Sequence, residues 1–228
     1  MARGLGGIAG CLDALEALHG PPAKPLPKRP LDWVWWENVA YLVADDRRAE
    51  AYRSLSKRVG LTAEAVQRAP REDLLEVARL GGMHPERRAR TLAGIADLAL
   101  EAGGGRLERL LRLPAAEARR ILKRFPGIGD PGADKILLFC GIAPVLALES
   151  NGLRVAVRLG YGKEGKSYAA TYRSAREALE PGLAKDCAEL ARAHRLLRAH
   201  GQTLCRRNAP DCDACPLADA CAYAARAG

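Results

Sequence analysis

Apolar residues recur at three- and four-residue spacing through much of the chain: Leu74, Leu75, Val77 and Ala78; Leu92, Ile95, Ala96 and Leu98; Leu107, Leu110 and Leu111. That period lays one apolar stripe along each of a succession of helices. Gly81-Gly82 and Gly103-Gly104-Gly105 interrupt the pattern, because glycine both weakens a helix and frees the turn after it. Ahead of these segments Trp33-Val34-Trp35-Trp36 leads into Val39, Ala40, Leu42 and Val43. This predicts an apolar helix from Asp32 that ends at the charged Asp45-Asp46-Arg47-Arg48. No run alternates polar and apolar residues at the strand period, and no segment repeats at a solenoid period. The expected fold class is all-α.

Composition changes this picture in three ways. The 228 residues can hold one large domain or two small ones. Residues 21–30, PPAKPLPKRP, carry five prolines and three basic residues, so they read as an extended connector. No apolar run reaches transmembrane length, and Asp13 and Glu16 interrupt the opening stretch where a secretory signal would stay apolar. A cytoplasmic, reducing location is therefore expected. The net charge of +9 suits a polyanionic partner, but a chain rich in Arg and Ala carries such a charge for compositional reasons as well.

Four of the seven cysteines, Cys205, Cys212, Cys215 and Cys221, fall within 17 residues at the spacing C-x6-C-x2-C-x5-C. Pro210, Pro216, Asn208 and Asp211 bend the backbone between them. Four thiolates on so short a segment can converge on one centre, which is what a [4Fe-4S] cluster requires. Zinc is the rival, although four-cysteine zinc sites usually pair two C-x(2-4)-C knuckles and only Cys212 and Cys215 form one here. A disulfide framework does not suit a chain with no sign of export. Cys11, Cys140 and Cys187 are expected to be buried or free thiols.

A second motif runs from Ala116 to Phe139, with Phe125-Pro126-Gly127-Ile128-Gly129-Asp130-Pro131 at its centre. One amphipathic helix is expected to stop at Pro126, and a second to start with Asp130 as N-cap and Pro131 at its first position. Gly127, Ile128 and Gly129 between them let the backbone approach a ligand closely. The positive end of the second helix suits a phosphate. This is the helix-hairpin-helix pattern, which grips a DNA backbone without reading bases.

With hairpin and cysteines in this order, the chain resembles the endonuclease III branch of the helix-hairpin-helix DNA glycosylases from about Trp33 to Tyr223. His200-Gly-Gln-Thr-Leu-Cys205 is similar to that family's approach to its first cluster ligand, and Leu146-Ala-Leu-Glu149-Ser-Asn-Gly-Leu-Arg154-Val155 to the segment that carries its catalytic carboxylate. The resemblance implies two helical lobes. One is a six-helix domain over 32–142, with the hairpin motif at 117–139. The other is a cluster domain built from 1–31 and 143–228, with a [4Fe-4S] loop at 205–221. It further implies a monomer, associated with the nucleoid, that binds double-stranded DNA between the lobes with the damaged nucleotide flipped out, since the glycosidic bond is unreachable within the stack.

Residue by residue, the resemblance implies DNA contacts from Gly127, Ile128 and Gly129 and from Arg206 and Arg207 in the first cysteine loop. The catalytic aspartate position holds Glu149, one methylene longer; Asn151 matches an asparagine that holds water in monofunctional adenine glycosylases. Glu149 also reads simply as a helix cap. The lysine that makes bifunctional members strand-cleaving lyases is replaced by Pro131. Lys135, about 6 Å further along the helix axis, is either a substitute nucleophile and DNA contact or a solvated lysine. The family's Ser-Gln-Gln-Thr-like stretch, whose glutamine fills the gap left by the flipped base, is replaced near Asp45-Asp46-Arg47-Arg48, where Arg47 or Arg48 is the candidate wedge. His84 reads as a loop residue near the pocket or on the surface. Three functions follow: a monofunctional glycosylase, a lyase using Lys135, or a DNA-binding protein that has lost catalysis.

Overall fold

A computed structural model of the chain describes residues 5–227. In chain order the α-helices are α1 (Gly7–His19), α2 (Pro30–Asn38), α3 (Asp45–Arg58), α4 (Ala63–Arg68), α5 (Arg71–Leu80), α6 (Pro85–Gly103), α7 (Ala115–Leu122), α8 (Asp130–Phe139), α9 (Ser150–Arg158), α10 (Tyr168–Leu179), α11 (Cys187–Thr203) and α12 (Ala224–Ala227). No strand occurs among the described residues. The fold is all-α, as the apolar spacing predicts.

The chain divides into two compact units, one of Met1–Lys24 with Ala143–Gly228, the other Pro25–Ile142. In the continuous unit, α4 and α5 pack on α6, α3 packs on α5, and α7 lies beside α8. Trp35 is fully buried and donates its indole N–H to the Leu61 carbonyl at 3.0 Å. Trp33 stacks on Phe139 with ring centroids 4.9 Å apart. Arg119 of α7 pairs with the buried Asp134 of α8, which ties the two hairpin helices together with a charge pair shielded from water.

Two expectations shift here. The apolar run from Trp33 does not continue as one helix: α2 ends at Asn38, and Leu42 adopts a left-handed conformation with φ 53°. Asp45 and Asp46 do not stop a helix but open one, as the first turn of α3, where carboxylates complement the positive helix end. Leu107, Leu110 and Leu111 form a short 3-10 turn, Leu107–Arg112, with Leu111 exposed.

The discontinuous unit is centred on α11, against which both α9 and α1 pack. Two glycines make the α9 contact close. A Cβ on Gly201 would sit 2.6 Å from the Asn151 carbonyl oxygen, and one on Gly152 would lie 3.5 Å from Leu197 Cβ. Arg192 of α11 holds α1 through Asp13 at 2.8 Å and Glu16 at 2.6 Å.

Candidate functional site

The hairpin is built from apolar anchoring and one amide. Leu122, Phe125 and Ile128 are buried, while Pro126, Gly127 and Gly129 are exposed on either side of Ile128. Gly127 has φ 72°, which disfavours any side chain, and a Cβ there would meet Asn38 Oδ1 at 2.8 Å. Asn38, at the end of α2, donates from Nδ2 to the Pro126 carbonyl at 2.9 Å and to the Val34 carbonyl at 3.0 Å. No sequence motif marks this residue, 88 positions from its partner. The N-cap of α8 is Gly129 rather than Asp130. Asp130 is the first helical residue, and its carboxylate accepts from Lys123 Nζ at 2.7 Å. Pro131, which has no N–H, occupies the first turn where none is required.

Lys135 does not stand free. Its ammonium donates to Glu37 Oε1 at 2.8 Å, and both side chains are largely shielded, at 14% and 18% exposure. Arg47 spends its Nε on the Leu80 carbonyl at 2.9 Å. Arg48 donates to the Trp36 carbonyl at 2.8 Å and lies over the Trp36 ring. Both candidate wedge residues therefore brace backbone in their own unit. His84 caps α6 in a left-handed conformation.

In the other unit, Glu149 is the N-cap of α9 and its carboxylate is fully organised. Oε1 accepts from the backbone N–H groups of Asn151 and Gly152, each at 2.8 Å. Oε2 accepts from Asn151 Nδ2 at 2.9 Å. Asn151 Oδ1 in turn accepts from Arg154 Nη2 at 2.9 Å, and Arg154 also donates to the carbonyls of Cys205 at 3.0 Å and Gly201 at 2.6 Å. Both the capping role and the Glu149–Asn151 pairing are thus present at one place. Burial lowers the Arg154 pKa, against the opposing pull of Cys205 and Glu149. Tyr168, half exposed and stacked on Tyr172, is pushed up to about 12 by burial and then by the charge of Glu149. No motif marked Tyr168 as a neighbour of that carboxylate.

Cys205, Cys212, Cys215 and Cys221 line one pocket with Arg158, His200, Leu217 and Tyr223, whose empty space, open mouth included, is about 370 Å3. All four thiols are free. Among the described residues no three His, Cys, Asp or Glu side chains are gathered closely enough to hold a single metal ion. Burial, followed by the nearby thiolates, raises the pKa of Cys212; burial is also the main cause at Cys215.

Arg158, at the end of α9, spans the loop. Its Nη1 lies 3.4 Å from Cys205 Sγ and donates to the Arg206 carbonyl at 2.7 Å, and its Nη2 donates to the Arg207 carbonyl at 3.0 Å. The guanidinium stacks on Tyr223 at 4.5 Å, and the Arg158 carbonyl accepts from Tyr223 N and faces Cys221 Sγ. One residue therefore holds both ends of the cysteine segment. The side chains of Arg206 and Arg207 lie on the exposed surface.

No family model matches the chain. Its sequence is 27% identical over 175 residues to an endonuclease III of Sulfolobus acidocaldarius, covering 76% of this chain and 73% of that protein. Its fold matches a trapped covalent intermediate of endonuclease III with DNA at a TM-score of 0.76, with 18% identity and 96% of each chain covered. It matches a thermostable thymine-DNA glycosylase at 0.75, with 15% identity and 95% of each chain covered. In sequence the chain is similar to endonuclease III, and in fold to endonuclease III and to a thymine-DNA glycosylase.

Proposed function

We propose that the protein is a DNA glycosylase of the endonuclease III type that hydrolyses the N-glycosidic bond of a damaged or mismatched base in duplex DNA, and that it is monofunctional. The observation that carries this reading is the state of Glu149. Two backbone N–H groups and the Asn151 amide hold its carboxylate in one orientation at a helix N-terminus. The side chain is only partly buried. A pre-oriented carboxylate stabilises the oxocarbenium-like sugar that forms as a glycosidic bond breaks. The same carboxylate would accept a proton from water, which Asn151 would orient.

Lyase chemistry needs an amine nucleophile. Pro131 supplies none, and the Lys135 ammonium is engaged by Glu37. The reading that the scaffold only binds DNA has no observation in its favour beyond the substitutions themselves, since the carboxylate network is intact.

The exposed tip at Gly127 and Gly129 and the side chains of Arg206 and Arg207 would hold the phosphate backbone. The four cysteines fit a [4Fe-4S] cluster. They line one pocket without being gathered on a single point, whereas zinc draws its sulfurs to about 2.3 Å from one point. Bound there, the cluster would supply ligation that orders the loop carrying Arg206 and Arg207.

The test is an excision assay on end-labelled duplexes carrying uracil, oxidised pyrimidines, alkylated purines, mismatched adenine or an abasic site. Strand breakage only after alkali is expected, on one lesion class. Glu149→Gln should lower excision by roughly 100-fold or more with binding kept. Breakage without alkali, lost in Lys135→Ala, would replace this reading with the lyase, and duplex binding without excision of any lesion would replace it with the binding protein.

A further inference from the structure

The cysteine pocket is lined by a histidine, His200, paired with a second, His19, and neither the fold comparison nor the ligand spacing explains the pair. His200, almost wholly buried on α11, sits with Nε2 3.4 Å from Cys215 Sγ. Its Nδ1 is 3.4 Å from Nε2 of His19, the last residue of α1. The three groups form a line from the N-terminal helix to one ligand sulfur.

We propose that His200 is a positioning residue for the bound cluster, donating Nε2–H to the Cys215 sulfur while His19 donates to its Nδ1. The inference rests on the cluster reading above. Its logic is proton counting. A ligating thiolate has lost its proton and can only accept, so the atom facing it must donate. A neutral imidazole has one N–H and one lone pair; if Nε2 carries the proton, Nδ1 must accept. The group facing Nδ1 is His19 Nε2, which must then be the protonated nitrogen of that ring.

Loading the pocket therefore selects one tautomer in each of two rings and fastens the last turn of α1 to a ligand. Hydrogen bonds to cluster sulfurs stabilise the more negative, reduced form and raise its potential. Outer partners of this kind also slow loss of the metal.

The experiment uses the full chain, loaded with iron and sulfide, as wild type and as His200→Phe, His200→Gln and His19→Ala. Iron and sulfide content is measured first; a wild-type chain that binds neither sinks the cluster reading and this inference with it. In loaded protein, His200→Phe should release iron to a chelator roughly 10-fold faster. Its potential should move negative, each tenfold change in relative stabilisation being about 59 mV for one electron. His200→Gln, which keeps an amide donor, should recover most of both effects, and His19→Ala should show the same shifts at smaller size. Nitrogen NMR of labelled histidine should find His200 protonated at Nε2 when loaded. Wild-type iron release and potential in loaded His200→Phe, or a loaded His200 protonated at Nδ1, would overturn the proposal while leaving the cluster in place. Should His200→Phe fail to fold, the wild-type NMR assignment and His19→Ala decide it.

Discussion

The hairpin and the cysteine loop are both assigned to the DNA backbone, yet they are held by opposite means. The hairpin tip is clamped by buried Leu122, Phe125 and Ile128 and by the Asn38 amide, with the Arg119–Asp134 and Lys123–Asp130 pairs beside them. Nothing in it depends on an added group. The cysteine loop has few apolar anchors, chiefly Leu217 and Ala220, and is held by the cation Arg158, one buried histidine and four thiols that point into a shared pocket. A surface fixed by packing is permanent, whereas one fixed by polar and inorganic bonds is conditional. On the proposed reading the chain would present one backbone grip that is always formed and one that assembly of the cluster switches on.

The sharpest way to break this comparison is to remove the inorganic bond. Cys212→Ser should abolish iron retention and strip amide-exchange protection from residues 205–221, while the hairpin amides keep theirs; equal loss in both regions would end the contrast. Next in size, Arg158→Ala should leave the carbonyls of Arg206 and Arg207 without their donor. A loss of about 2 kcal/mol is expected, as for hydrogen bonds from a charged group, read as earlier melting of the loop in a thermal scan. Asn38→Ala attacks the permanent grip and removes one bond to the Pro126 carbonyl. It should cost about 1–2 kcal/mol and weaken binding to undamaged duplex without touching iron content. Smallest of all, Arg206→Ala and Arg207→Ala should each lower the slope of log affinity against log salt by about 1, with stability unchanged.

What the sequence displayed and what it hid divides along the same line. Gly127, Pro126 and the helices around them were legible because a turn is a local event, written in adjacent residues. The cysteines were legible because their ligand chemistry fixes a spacing. Asn38, Arg158, Glu37 and Tyr168 were not, because each acts on a partner brought near only by the fold, and no short pattern records such a meeting. Arg47 shows the converse failure. It sits where a wedge was expected, but the Leu80 carbonyl, 33 positions away, competes for its guanidinium. Asp130 was misplaced by one position, since an acidic residue suits the cap and the first turn almost equally well.

The unit that holds the cysteine pocket is assembled from the two ends of the chain, and this sets an order of events at birth. α1 leaves the ribosome well before α11, with Ile8, Leu12 and Leu15 seeking the cover that α11 supplies. At roughly 5–20 residues per second of synthesis, that helix waits on the order of ten seconds or more while the continuous unit emerges and folds. Until then the proline-rich stretch behind it acts as a tether, and the pocket lined by Cys205, Cys212, Cys215 and Cys221 closes only after α11 has emerged.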